Sequence, residues 1–322
     1  MARYEWPPLP ILDRDQASQR LADAMQQAWN DLEDERIRVL ESPTMGRKAL
    51  VNEWLREFQA AIEAFGVDVA FHLDRFLELH LQPAYLAGVV QGGGQAVWTL
   101  IHSKAYVSLA TDTYADFLQR SEAAKRTSKA FAKKIRDTAV EELPKIAAGG
   151  RTSTQGGRRF ADSLISKYDI LHVSYADGTK VPVDVYTRMA ARTKSVTAYN
   201  SATLLESREQ GNYFMEVFDG SGCGWTSHGS PDKANGTLRH VDDCEANLLA
   251  HPNCQRAFGP RPDVRTISQA KKAGPTTTAE QRADQADVDW NPARQAMSGR
   301  ARQSQRDRRQ AARDRRAASL RQ

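Results

Sequence analysis

RLADAMQQAWNDLEDERIRVL, residues 20–40, decides the fold class. Leu21, Met25, Trp29, Leu32 and Ile37 recur at helical spacing with acidic and amide side chains between them. That is the pattern of an amphipathic helix, not the period-two alternation of a half-buried strand. Ser42-Pro43-Thr44 breaks the pattern on one side. Beyond it, Leu50, Trp54, Phe58, Ile62 and Phe65 repeat the spacing, with Gly66 placed to cap the C-terminus of a second helix. Leu73, Phe76, Leu77 and Leu79 open a third. Residues 84–90 and 97–109 read as two further helical segments split by Gly92-Gly93-Gly94. That glycine run is no phosphate loop, since it lacks a GK[ST] ending and a preceding strand. Residues 117–144 form another helix, whose AAKRTSKAFAKKIRD portion carries a basic face. Trp29, Trp54 and Trp98 sit among apolar neighbours and are expected in the core.

The texture changes at residues 149–158, where Gly149, Gly150, Gly156 and Gly157 mark a flexible connection. YDILHVSYADGTKVPVDV, residues 168–185, then reads as a β-hairpin turning at Asp177-Gly178, a pair that favours positive φ. Val185, Met189, Val196, Tyr199 and Leu204 follow at helical spacing until Gly211. Arg188, Arg192 and Lys194 fall on this helix and read as a solvated face, with an acidic partner or phosphate as the alternative. Phe214, Val217 and Phe218 suggest a short strand. The expected fold is α+β, mainly α. A helical domain covers residues 1–148, a linker 149–158, a hairpin–helix and loop-rich module 159–265, and a polar, Arg-rich tail 266–322, read as linker and as disordered or marginally helical.

The chain has 322 residues, 40% of them hydrophobic and 26% charged, enough for two units plus appendages. Residues 79–103 contain no Lys, Arg, Asp or Glu and are long enough to cross a bilayer. Pro83, the glycine run, Gln82, Gln91 and Gln95 argue against a lipid-facing helix, so no membrane partner is expected. The opening MARYEWPPLPILDRD lacks a basic segment followed by an apolar run, and no secretory signal is expected. The net charge of +5 is uneven: residues 294–322 carry ten arginines against Asp307 and Asp314, a net of +8, which leaves −3 for the rest. With almost no apolar side chains, such a segment builds no core. Arg300, Arg302, Arg306, Arg308, Arg309, Arg313, Arg315 and Arg316 are its candidate nucleic-acid contacts, acting through counterion release. The plainer alternative is a solubilising tail.

The only cysteines, Cys223, Cys244 and Cys254, lie within 32 residues of one another and form no disulfide framework. Residues 213–262 are rich in Gly, Pro, Asn and Asp and need a staple. Cys223-x4-His228 with His251-x2-Cys254 would supply two thiolates and two imidazoles, the donor set of a closed structural zinc site. His240 and Cys244 could replace one pair. Alternatively the cysteines are small buried hydrophobes. A Cys–His nucleophile, or a metal-dependent nuclease using His228 or His251, is the enzymatic reading, but no carboxylate spacing demands a base. Asp219, Asp232, Asp242 and Asp243 read equally well as turn and cap residues.

The segment DGSGCGWTSHGSPDKANGTLRHVD…AHPNCQRAFGPRPDV resembles the C-terminal part of the Mu F-like head morphogenesis proteins of tailed bacteriophages, especially minor capsid proteins of actinobacteriophages. His251-Pro252-Asn253-Cys254 followed by a basic residue is the most specific mark. Cys223-Gly224-Trp225, His228 and Arg192-Thr193 agree with it. The likeness covers about residues 160–265. It favours Cys223, His228, His251 and Cys254 as the working set, since Cys244 stands outside the pattern. It implies a non-enzymatic, low-copy virion protein at the portal vertex, assisting head assembly and DNA packaging or release. The implied partners are the portal, capsid or scaffold proteins and packaged double-stranded DNA. The implied location is the virion, and the host cytoplasm during assembly. No catalytic set is carried over. The alternatives are an assembly enzyme, either a capsid maturation protease or a nuclease, and a non-specific DNA-binding protein.

Overall fold

A computed structural model describes residues 11–41, 48–147, 167–175, 177–220 and 222–273. The linker at 149–158 and the tail arginines at 300–316 lie outside them. The described chain is mainly helical with two small sheets. It divides into two compact units, Met1–Glu206 and Ser207–Gln322.

The first unit is built on three long helices: α1 (Ile11–Glu41), α2 (Lys48–Phe76) and α4 (Leu100–Ala147). The second of them packs against both of the others. Each presents an apolar seam, and the seams meet in one core. The Trp29 ring stands edge-on to Phe65 at 4.5 Å, and Phe58 lies 6.0 Å from Phe131, which joins all three helices through aromatic contacts. The seam of α4 runs through Thr113, Phe117, Ser121, Ala124, Ser128, Phe131 and Ile135, all buried at steps of three or four.

Two breaks expected from sequence are absent. Gly66 lies inside α2, not at its end. A Cβ there would sit 3.2 Å from Lys125 Nζ, so glycine makes room for a side chain of α4. Likewise, the segments expected at 97–109 and 117–144 are joined in the single helix α4, which starts at Leu100. The interruption instead falls at residues 77–81, where α2 widens into a π-turn before α3 (Gln82–Gln91). Pro83 lacks an N–H and its ring would strike the carbonyl four residues back, which explains a wide turn at this place. The Leu77 carbonyl accepts from the Gln82 N–H and from the Tyr106 hydroxyl.

The hairpin forms as expected from β1 (His172–Ser174) and β2 (Lys180–Pro182), paired antiparallel with Val173 opposite Val181. Gly178 adopts φ 84° in its turn. The following helix, α5 (Val183–Glu209), ends in a Schellman arrangement: Gly211 at φ 73° donates to Arg208 O and Asn212 donates to Ser207 O. Ile170, Val173, Val183 and Ala191 join the helical core, so the hairpin and most of α5 belong to the first unit. Arg192 is not a solvated residue: it is buried against Asp15 of α1 at 2.9 Å. Burial pushes the Asp15 carboxyl up despite Arg192 beside it. Arg188 pairs with Asp184, and Lys194 with Asp116. These cations meet acidic groups of their own chain.

Gly88 of α3 and the glycine run after it make room for α5. A Cβ at Gly88 would fall 2.1 Å from Tyr199 O, so α3 and α5 touch backbone to backbone. A Cβ on Gly94 would fall 2.4 Å from Glu206 Oε1. That carboxylate also meets buried His102 Nε2 at 2.7 Å, and His102 Nδ1 lies 3.1 Å from the Tyr85 hydroxyl. Desolvation pushes the Tyr85 phenol up to about 12. This buried chain ties the α3–α4 connection to α5. Trp98, expected in the core, is part-exposed and stacks on Tyr85 from outside. No helix among the described residues is long and apolar enough to cross a membrane.

Because the atom opposing Gly88 is backbone, it cannot rotate away. Gly88→Ala should lower stability by about 1–3 kcal/mol or more, read as a shift of the urea midpoint at unchanged slope.

Candidate metal centre of the C-terminal unit

The second unit has a three-stranded antiparallel sheet in the order β4–β3–β5, formed by β3 (Phe214–Phe218), β4 (Leu238–His240) and β5 (Ala257–Pro260). Two short helices accompany it, α6 (Val241–Ala246) and α7 (Ile267–Lys272). Much of the rest is loop, and its turns place the site.

Residues 251–254 form one of these turns. The Cys254 N–H donates to His251 O at 3.0 Å, and Asn253 sits at φ 65°, the sole positive-φ non-glycine residue among those described. Proline fixes φ at the second position of the turn and asparagine tolerates the left-handed third, the residue pattern of a type II turn. His251 and Cys254 are thereby folded toward one point. On the other side, the Cys223 N–H donates to Gly220 O, and the Cys223 carbonyl accepts from Ala234 N. Gly224 is required there, because a Cβ would lie 2.4 Å from Ser230 Cβ and 2.5 Å from Ser227 O.

The two loops bring Cys223, His251 and Cys254 together, with their ligand atoms all within 4.8 Å of one another. Cys223 Sγ lies 3.7 Å from His251 Nε2. The edge between sulfur and nitrogen in a tetrahedral zinc site is about 3.5 Å, from bond lengths near 2.3 and 2.0 Å. That pair is therefore spaced like two ligands of one ion, and the three atoms together lie within 4.8 Å. His251 Nδ1 lies 2.8 Å from Pro252 O, a contact that places the proton on Nδ1 and leaves the Nε2 lone pair for the cluster. The two thiols are hydrogen-bonded and share charge unequally. The Cys223 thiol is pushed up, first by its bond to Cys254 and then by burial, while the bond from Cys223 draws Cys254 down to about 6.

Of the expected set, His228 takes a different place. Its ring is stacked on His251, with centroids 3.7 Å apart and planes 22° from parallel, and it adds no donor to the group. The alternative pair does not reach the cluster: His240 caps α6 at the Asp242 N–H, and Cys244 is buried, its thiol pushed up to about 12 by desolvation.

Asp219 and Arg256 carry more than sequence reading gave them. Asp219 Oδ1 lies 3.7 Å from Cys254 Sγ, but its carboxylate is bound at 2.8 Å by the fully buried Arg256. Arg256 also donates to Trp225 O, Asn247 O and Gly224 O, and its guanidinium lies 4.7 Å from the Trp225 ring centroid. Arg239 lies over the same ring at 4.7 Å and pairs with Asp232. Asp242 pairs with Arg208. The signal for Arg256 was only that of a basic residue following the His-Pro-Asn-Cys run.

Comparison with models of known protein families, with curated proteins and with solved structures gave no match.

Protein purified without chelator should hold close to one equivalent of zinc by elemental analysis, and Cys223→Ala or Cys254→Ala should lose it. Arg256→Met leaves Asp219 buried and unpaired, so it should cost roughly 3–5 kcal/mol. Limited proteolysis should then cut within residues 213–262 before it cuts the helices.

Proposed function

We propose that this chain is a non-enzymatic minor capsid or head morphogenesis protein of a tailed bacteriophage, bound at the portal vertex. One observation carries the reading. Of the residues on which the Mu F-like resemblance rests, Cys223, Trp225, His251 and Cys254, with the basic Arg256 after them, converge from separate loops on one compact cluster, while Arg192 lies on α5 and pairs with Asp15. Motif residues that meet in space act as a unit, and this unit has the make-up of a structural metal staple. The zinc would be held by Cys223, His251 and Cys254, with His228 beside them, and would supply folding free energy to a loop-rich module.

Two further points support a structural role. The carboxylate nearest the thiols, Asp219, is committed to Arg256 and is poorly placed to serve as a base. The arginine-rich residues 294–322 suit a protein enclosed with DNA, where phosphate is abundant and sequence is irrelevant.

The chain should be present in purified virions at low copy and should co-purify with the portal protein when the two are co-expressed. Its absence from particles would overturn the proposal. So would specific cleavage of scaffold, capsid precursor or DNA that disappears in Cys254→Ala. Removing residues 294–322 should abolish sequence-independent DNA binding, whose log–log salt slope should be about −0.9 per phosphate contacted. Portal binding should remain.

A further inference from the structure

The first half of α4 has an unusual outer face. Thr113 and Phe117 point inward and are buried, while residues 100, 101, 104, 107, 108, 111, 112 and 115 are exposed in one continuous stripe. At its N-terminal end this stripe is apolar: Leu100 is 72% exposed, Val107 61% and Ile101 47%, with Val97 and Trp98 just before them. Large apolar side chains gathered in this way mark a contact surface, whereas single ones do not. The face is also held in shape. The buried Glu206–His102–Tyr85 chain fixes the start of α4, and Trp98 is stacked on Tyr85 and lies 5.3 Å from Tyr106. A preorganised surface loses little entropy when it is covered.

The charges on the stripe indicate what covers it. It carries one cation, Lys104, and one anion, Asp112, and neither takes part in an ion pair among the described residues. Ser108 lies midway, four residues from each. A second α4 laid antiparallel about a two-fold axis at Ser108 would set Lys104 of each copy opposite Asp112 of the other, twice over. The same operation places Ile101 of one copy on Ala115 of the other, so the bulky end of each helix covers the small end of its mate. The axial distance from Lys104 to Asp112 is about 12 Å, well within one helix–helix contact. An isologous interface requires a surface complementary to itself, and this stripe is complementary in both charge and bulk. We propose that the outer face of α4 is a self-association surface on which a second copy of this chain packs antiparallel. The inference is independent of the proposed function.

The test is sedimentation velocity of the full chain over a range of concentrations at moderate salt. The wild type should dimerise. Lys104→Asp alone and Asp112→Lys alone should each weaken the dimer at least tenfold, because each sets like charges face to face at two symmetric points. The double reversal should restore it. Val107→Glu, close to the axis, should give a monomer. All three positions are exposed, and circular dichroism should show unchanged helix content. A wild type that stays monomeric at the highest concentration would overturn the proposal. A dimer indifferent to the single reversals would also overturn it, as would one that the double reversal fails to restore. Binding of the monomer to phosphatidylcholine vesicles, lost in Val107→Glu, would assign the face to lipid and refute self-association.

Discussion

A guanidinium removed from water must have its donors met, and in the C-terminal unit Arg256 meets this requirement by collecting the loops around itself. Its partners come from distant parts of the chain: Asp219 after β3, the carbonyls of Gly224 and Trp225, and Asn247 after α6. Beside it, Phe214, Met215, Val217, Val241, Phe258 and Val264 bury the apolar face of the small sheet. Losing Asp219 leaves a buried charge uncompensated, and losing a carbonyl leaves a buried donor unmet. The Cys223–His251–Cys254 group sits beside this hub and shares Asp219 with it. Hub and cluster together tie the loops to the small apolar core of the sheet.

The two units thus illustrate different ways of ordering a chain. In the first, α1, α2 and α4 bury long aromatic and aliphatic seams, and buried charged groups enter as matched pairs such as Arg192–Asp15 and His102–Glu206. In the second, turn chemistry places the side chains: proline and left-handed asparagine at 252–253, and a glycine at 224 where no Cβ fits. Donor groups then close the structure.

How much of this was legible in the sequence follows from the same physics. The apolar spacing of α1 and α2 was readable because Trp, Phe and Leu occupy the seam. The unbroken length of α4 was not, because its seam contains Thr113, Ser121, Ala124 and Ser128, small or polar residues that are buried yet give no hydrophobic period. Gly66 looked like a cap because nothing local announces Lys125 lying across it. The His251–Cys254 half of the cluster was readable because a turn holds it within four residues. The place of His228 was not, since stacking on His251 depends on two loops meeting. Arg256 and Asp219, 37 residues apart, offer no spacing to recognise.

The central claim is that a metal held by Cys223, His251 and Cys254 keeps the C-terminal unit folded. Amide hydrogen exchange of the full chain, with and without a strong zinc chelator, tests it most directly. The account predicts that chelation strips protection from β3, β4 and β5 and leaves α1, α2 and α4 as slow as before. Equal protection of the three strands in both conditions would contradict it.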